Sequence, residues 1–98
     1  MVERILTVKA QLGLHARAAA KLVRVASAFQ SRLSLERVDG SATADAKSIL
    51  SVLMLAAGQG TKLRVIAEGH DEAEAVMALD GLFADAFGEM EQHVKVDD

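Results

Sequence analysis

Cysteine, proline, tryptophan and tyrosine are all absent from this chain of 98 residues. Without cysteine, the chain has no disulfide bond, no thiol nucleophile and no cysteine-ligated metal site. Without proline, folding should include no slow prolyl isomerisation step. Phenylalanine supplies all three of the aromatic side chains, so alanine, leucine and valine must fill most of the core of a domain.

The chain also lacks a long apolar run and a surplus of basic residues. The longest candidate, residues 49–57, is interrupted by Ser51 and ends at Gly58, so it is too short to span a membrane. The N-terminal residues do not have the pattern of a signal peptide. A net charge of −3 disfavours nucleic acid as a partner, because that role requires a basic surface. We expect a cytoplasmic protein with no membrane insertion, no nucleic-acid partner, no metal and no cofactor.

The apolar pattern predicts four strands and three helices in the order βαββαβα. Alternation with period two indicates the strands, and apolar residues at helical spacing indicate the helices. The predicted strands are residues 2–10, 32–36, 41–45 and 62–68, and the predicted helices are 16–29, 48–57 and a third that begins near Asp71 and stops at Gly88.

Two short signals refine these boundaries. Asp39 and Gly40 form a hairpin-turn dipeptide, whose favoured geometry needs positive φ at both positions. Asp71 and Glu74 have the spacing of a capping box at the start of the third helix.

Because each strand has one apolar face, we expect an α+β fold, a two-layer open-faced sandwich. In it, three helices cover one side of a four-stranded antiparallel sheet, whose strand order the pattern leaves open. Residues 1–88 should form this domain, and residues 89–98 a polar, acidic C-terminal tail.

His15 is the residue with the most informative surroundings. It follows the flexible Gly13 and stands where the first helix should begin, two residues before Arg17. The first N–H groups of a helix attract anions, and imidazole is both a nucleophile and a leaving group near neutral pH. The pattern therefore suggests a site that holds phosphate, although on spacing alone a capping histidine beside a solvated arginine is the commoner explanation.

Residues 13–19, Gly-Leu-His-Ala-Arg-Ala-Ala, resemble the active-site segment of the HPr family, the histidine-containing phosphocarriers of the bacterial sugar phosphotransferase system. Residues 46–53 resemble the family's regulatory-serine segment, and the turns at 58–61 and 67–69 are also similar. The resemblance implies that His15 is phosphorylated on Nδ1 and that Arg17 stabilises the phosphoryl group. It also implies the family's fold, a four-stranded antiparallel sheet covered by three helices. One position departs from the family: Ala18 stands where proline is frequent, which leaves the start of the helix less constrained.

By this resemblance, the chain accepts a phosphoryl group from phosphorylated enzyme I and passes it to enzyme IIA domains. It would then be a monomeric carrier, and not a self-contained catalyst. Three alternatives stay open: a regulatory binding module controlled chiefly by phosphorylation of Ser48, a carrier in a nitrogen-related phosphorelay, and a small α+β interaction domain. His70 and His93 are assigned no role.

Ser48 stands where the second helix should begin, and an N-cap there is typically worth ~1 kcal/mol. The resemblance implies that this serine can be phosphorylated from ATP by HPr kinase/phosphorylase, as in many bacteria. The added negative charge would then lower phosphotransfer at His15.

The apolar run after Ser48 has too many apolar residues for one buried stripe. We expect Val52 and Leu55 to point inward, with Met54 less clearly so, and Ile49 and Leu53 to point outward. Scattered exposed leucines need no special explanation, but the resemblance favours a docking surface beside His15 for the acidic-rimmed surfaces of enzyme I and enzyme IIA. The residues assigned to this surface are Ala16, Ala20, Arg24, Lys47, Ile49 and Leu53.

Overall fold

The computed structural model describes residues 1–88. The predicted tail and His93 therefore lie outside the described residues. The observed order confirms the predicted βαββαβα arrangement. The strands are β1 (Val2–Thr7), β2 (Arg32–Arg37), β3 (Thr43–Asp45) and β4 (Lys62–Glu68), and the helices are α1 (Ala16–Ser27), α2 (Ile49–Leu53) and α3 (Glu72–Ala84), followed by a 3-10 turn at Ala86–Gly88.

The four strands form one antiparallel sheet in the order β1-β4-β2-β3. Leu63 of β4 lies opposite Leu6 of β1, and Val65 lies opposite Leu35 of β2. All four of these side chains are buried, and helix α3 packs against β1 and β4. The predicted open-faced sandwich is therefore confirmed.

The other face of the sheet carries charged side chains. Arg64 in β4 pairs with Glu3 of β1 at 3.7 Å and with Glu36 of β2 at 2.7 Å. Polar residues alternate here with the buried ones, which is the pattern expected of a sheet with one solvated side. No helix within residues 1–88 is both long and apolar enough to cross a membrane.

Helix α2 is much shorter than predicted. It ends at Leu53, and the chain then turns through Ala56, which has a φ of 51°. This left-handed conformation is uncommon for a residue with a side chain. An alanine at position 56 therefore did not indicate a turn in the sequence. Val52 and Leu55 are buried as predicted.

The hairpin between β2 and β3 also differs from its prediction. Only Gly40 has a positive φ, of 80°. The N–H of Arg37 donates to the carbonyl of Ala42 at 2.9 Å, which encloses a four-residue loop. The prediction of a two-residue turn with positive φ at both positions is therefore wrong.

The capping-box prediction for α3 is wrong as well. Asp71 precedes the helix, but its carboxylate makes no capping hydrogen bond. It accepts instead from the backbone N–H groups of Gln30 and Ser31, at 2.9 and 3.0 Å, and from the Ser31 hydroxyl. These donors lower the pKa of Asp71 to about 2, with the hydroxyl of Ser31 as the largest cause. Asp71 thus ties the start of α3 to the start of β2.

Candidate functional site

His15 is the N-cap of helix α1, with extended backbone angles (φ −75°, ψ 178°). Its carbonyl accepts the N–H of Ala19 at 2.8 Å. Its ring nitrogen Nδ1 accepts the backbone N–H of Arg17 at 3.3 Å. The ring is half-buried, so the imidazole sits at the helix entrance as predicted, with Nδ1 directed at a backbone donor.

The loop before His15 is held closely against the loop that follows α2. The N–H of Leu14 donates to the carbonyl of Ala57 at 2.9 Å. Gly13 has a φ of 71°, and a Cβ added there would lie 2.6 Å from the Ala57 oxygen and 2.8 Å from the Cα of Gly58. Glycine is therefore required here both for its conformation and for the close approach of the two backbones.

The N-terminal turn of α1 provides a positive environment. Its first turn contains no acidic residue, and Arg17 is exposed at its second position. Backbone N–H groups at a helix start and a guanidinium both favour negatively charged oxygens. This arrangement suits a phosphoryl group held on the His15 ring.

Ser48 is the N-cap of α2, as predicted. Its hydroxyl accepts the N–H of Ser51 at 3.3 Å, and its carbonyl accepts the N–H of Val52 at 3.0 Å. The hydroxyl of Ser51 in turn accepts the N–H of Asp45 at 2.9 Å. Ser48 is half-buried, and α2 packs against α1. The two N-cap residues therefore belong to neighbouring helices.

The residues assigned to the docking surface differ in exposure. Ala16, Arg24 and Ile49 are exposed, whereas Ala20 and Lys47 are half-buried. The ammonium of Lys47 donates to the carbonyl of Phe29 at 2.8 Å. Leu53 is also half-buried and packs against the core, because α2 ends there and does not continue its predicted stripe. The structure therefore places Leu53 mostly inward, contrary to its assigned direction.

Three exposed apolar residues were not assigned to the docking surface, and the weaker expectation that Met54 points inward is wrong. Leu50 and Met54, four residues apart, are 66% and 73% exposed. Leu12, in the loop that leads to His15, is 71% exposed. The four-residue spacing was visible in the sequence, but the short length of α2 was not.

The family model described as "PTS HPr component phosphorylation site" matches residues 2–85. The chain belongs to the HPr family. The HPr of Xylella fastidiosa strain Temecula1 is 49% identical over 91% of this chain and 98% of that protein. The HPr of Cupriavidus necator is 46% identical over 93% of this chain and 100% of its own length. This is therefore an HPr phosphocarrier of the phosphotransferase system.

Solved HPr structures have the same fold. The crystal structure of HPr-C-His from Thermoanaerobacter tengcongensis matches with a TM-score of 0.85 at 40% identity, covering 91% of this chain and 98% of that one. The solution structure of Bacillus subtilis Crh, described as a catabolite repression HPr, matches with a TM-score of 0.62 at 39% identity, covering 84% and 95%. The expected family and fold are thus both confirmed.

Proposed function

We propose that His15 accepts a phosphoryl group from phosphorylated enzyme I and passes it to an enzyme IIA domain. The observation that carries the proposal is the position of Nδ1, which faces the backbone N–H of Arg17 at the start of α1. The family model described by a phosphorylation site spans this segment. In this account the protein is a covalent carrier between two partner proteins in the cytoplasm, and it completes no reaction alone.

The hydrogen bond to Nδ1 defines the form of the ring that reacts. Because Nδ1 accepts a hydrogen bond from the Arg17 N–H, it carries no proton, and the ring proton of the neutral imidazole resides on Nε2. The lone pair that accepts this bond becomes the nucleophile when the bond breaks. The lone pair forms the new N–P bond while the bond between phosphorus and the donor protein breaks. The transition state is loose, so positioning and charge stabilisation supply most of the catalysis.

The surroundings of Nδ1 also favour the phosphorylated product. Once the lone pair is used, the N–H of Arg17 turns to a phosphoryl oxygen close to its former partner. The guanidinium of Arg17, on the same exposed turn, adds a permanent positive charge. In the return step the bond between Nδ1 and phosphorus breaks while a nucleophile of the acceptor protein bonds to phosphorus, and the electron pair returns to Nδ1.

Labelling with radioactive phosphoenolpyruvate and enzyme I tests this proposal. The wild-type chain should gain an acid-labile, alkali-stable phosphoryl group, and His15→Ala should gain none. His70→Ala is the matched control, since His70 is exposed beyond β4 and should label normally. Equal labelling of His15→Ala and wild type would refute the proposal.

We further propose that partners dock on the face formed by the start of α1 and by α2. Ile49, Leu50 and Met54 supply exposed apolar contact area, and the cations of Arg17 and Arg24 favour partners with acidic rims. Ala16 leaves room for a partner to approach the ring. Ala20, Lys47 and Leu53 lie at the half-buried margin of this surface. The carrier is expected to act as a monomer so that successive partners have access to this face.

Phosphorylation of Ser48 by an HPr kinase/phosphorylase is the proposed regulation. Its hydroxyl already faces the N–H of Ser51 at the start of α2, so the helix would tolerate a phosphate there. The new negative charge would lie on the docking face and would repel acidic-rimmed partners.

A regulatory binding module is the second candidate, favoured by the similarity to Crh at 39% identity. The retained His15 favours the carrier, because family members without transfer activity have usually lost this histidine. Labelling with ATP and the kinase, compared with labelling through enzyme I, separates the two functions. A nitrogen-related phosphorelay carrier would be labelled by its own enzyme I relative instead.

A further inference from the structure

We propose that Arg37 is a positioning residue for His15, acting through the loop that follows α2. Arg37 ends strand β2, and its side chain reaches across to the end of α2. One guanidinium nitrogen, Nη1, donates to the carbonyl of Leu55 at 3.0 Å and to that of Ala56 at 3.4 Å. Its Nε lies 3.5 Å from a carboxylate oxygen of Asp39.

The carbonyls that Arg37 binds are the ones that need a partner. They lie in the loop after the last residue of α2, where a backbone carbonyl must find a hydrogen-bond donor outside the helix. Ala56 is also held at a φ of 51°, a conformation that is unfavourable for alanine. Arg37 therefore stabilises a backbone path that the local sequence does not favour.

The path fixed by Arg37 leads directly to the site. The next residue, Ala57, offers its carbonyl to the N–H of Leu14 at 2.9 Å. Gly13 approaches that oxygen so closely that a Cβ would lie 2.6 Å from it. Since Leu14 is buried and precedes His15, a shift of the Ala57 carbonyl would move the backbone that carries the ring.

Asp39 orients the guanidinium from its other side. Its carboxylate accepts the N–H and the hydroxyl of Ser41, at 2.9 and 2.6 Å, and these bonds are the main cause of its lowered pKa. The hairpin loop thereby presents a fixed negative charge to Arg37. The contacts therefore link Asp39 to Arg37, Arg37 to the carbonyls of the loop after α2, and that loop to Leu14, the residue before His15.

The test compares Arg37→Gln with Arg64→Gln in the full chain. Arg64 is likewise held by side-chain contacts, but these are with two carboxylates, Glu3 and Glu36, on the open face of the sheet. We expect Arg37→Gln to accelerate hydrogen exchange of the Leu14 amide about tenfold relative to Arg64→Gln. We also expect kcat for phosphoryl acceptance from enzyme I to fall on the order of tenfold, with KM within about twofold of wild type.

Two further variants keep the proposal falsifiable if Arg37→Gln folds poorly. Arg37→Lys retains a donor for the two carbonyls and should recover part of both effects. Asp39→Asn keeps the guanidinium and should produce a smaller change of the same kind. Equal Leu14 exchange in Arg37→Gln and Arg64→Gln, or equal loss of kcat in both, would overturn the positioning role.

The kinetic measurement rests on His15 being the acceptor, whereas the exchange measurement does not. If His15→Ala were labelled to the same extent as wild type, the proposed function would fail. The exchange rate of the Leu14 amide would still test whether Arg37 fixes the backbone before His15. If labelling required His15 but Leu14 exchange did not respond to Arg37, the positioning role alone would fail.

Discussion

Nδ1 of His15 accepts the backbone N–H of Arg17 at 3.3 Å, within the N-terminal turn of the same helix. This bond directs the nucleophilic nitrogen at the donor that would later face a phosphoryl oxygen. The backbone thus orients the ring for the proposed transfer, and the guanidinium of Arg17 on the same turn would contribute positive charge. The chemistry of the site therefore depends on the helix entrance as much as on the histidine.

Removing the guanidinium should weaken phosphoryl transfer without abolishing it. Arg17→Ala is expected to lower kcat/KM for acceptance from enzyme I about tenfold to a hundredfold, because charge-assisted hydrogen bonds contribute roughly 1.5–3 kcal/mol. Arg17→Lys should recover part of the loss by restoring the charge. Arg32→Ala is the control, since that side chain is 85% exposed on the open face. An Arg17→Ala rate equal to that of Arg32→Ala would contradict this role.

Gly13 should be among the least replaceable glycines in the chain. Gly13→Ala is expected to reduce the free energy of unfolding by about 2–4 kcal/mol, because the new methyl group combines unfavourable φ with overpacking against Ala57. Gly40→Ala is the matched control: its φ is 80°, but nothing lies within 4 Å of an added Cβ. It should cost only about 1 kcal/mol. Urea denaturation measures the free energy of unfolding of both variants. Equal losses would show that the close contact with Ala57 adds nothing to the cost of replacing Gly13.

Asp71 should make stability depend on pH in the acidic range. Its pKa is lowered to about 2 from an ordinary value of 3.8 by the Ser31 and Gln30 donors. The folded state therefore favours the ionised carboxylate, and this stabilisation is complete above pH 3.8 and is lost as the pH falls through about 2. In denaturation at a series of pH values, the stability difference between wild type and Asp71→Asn should shrink across this window.

A variant at the other end of the same helix provides the control for that series. Asp85→Asn removes a carboxylate from the C-cap of α3 and leaves the Ser31 contact intact. Because this variant retains the contacts of Asp71, its stability should fall through the same acidic window as that of wild type. A pH-independent difference for Asp71→Asn would mean that the Ser31 contact does not favour the ionised carboxylate.

The exposed apolar side chains of α2 should affect partner binding more than chemistry. Met54→Gln is expected to raise the KM for this chain as the substrate of phosphorylated enzyme I about threefold to tenfold, with kcat nearly unchanged. Replacing apolar contact area with a polar amide mainly weakens association. Met77→Gln is matched in exposure, 69% against 73% for Met54, but lies on α3. If both variants bind enzyme I equally well, Met54 lies outside the docking surface.

The sequence predicted elements best where local pattern and tertiary packing agree. The bounds of β4 were predicted without error, since its alternation is uninterrupted and glycines occur on both sides. His15 and Ser48 were both placed correctly as N-cap residues, because each precedes a helical pattern. The resemblance to the HPr family added the role of His15, which spacing alone left undecided.

The errors arose where distant segments determine the local conformation. Helix α2 ends early at Leu53. The left-handed Ala56 that follows has its carbonyl bound by Arg37, a residue 19 positions away. Asp71 binds Ser31, 40 positions away, in preference to its own helix. A periodic pattern contains no information about such contacts. The length of α2, the exposure of Met54 and the absence of a capping box at α3 therefore could not be predicted.

The most direct test of the central claim is the identity of the phosphorylated atom. The chain would be labelled with ¹⁵N in its histidine rings, phosphorylated with enzyme I and phosphoenolpyruvate, and examined by NMR for coupling between ¹⁵N and ³¹P. The account predicts coupling at Nδ1 of His15 and at no other ring nitrogen. Coupling at Nε2 of His15, or at His70 with His15 unmodified, would contradict it.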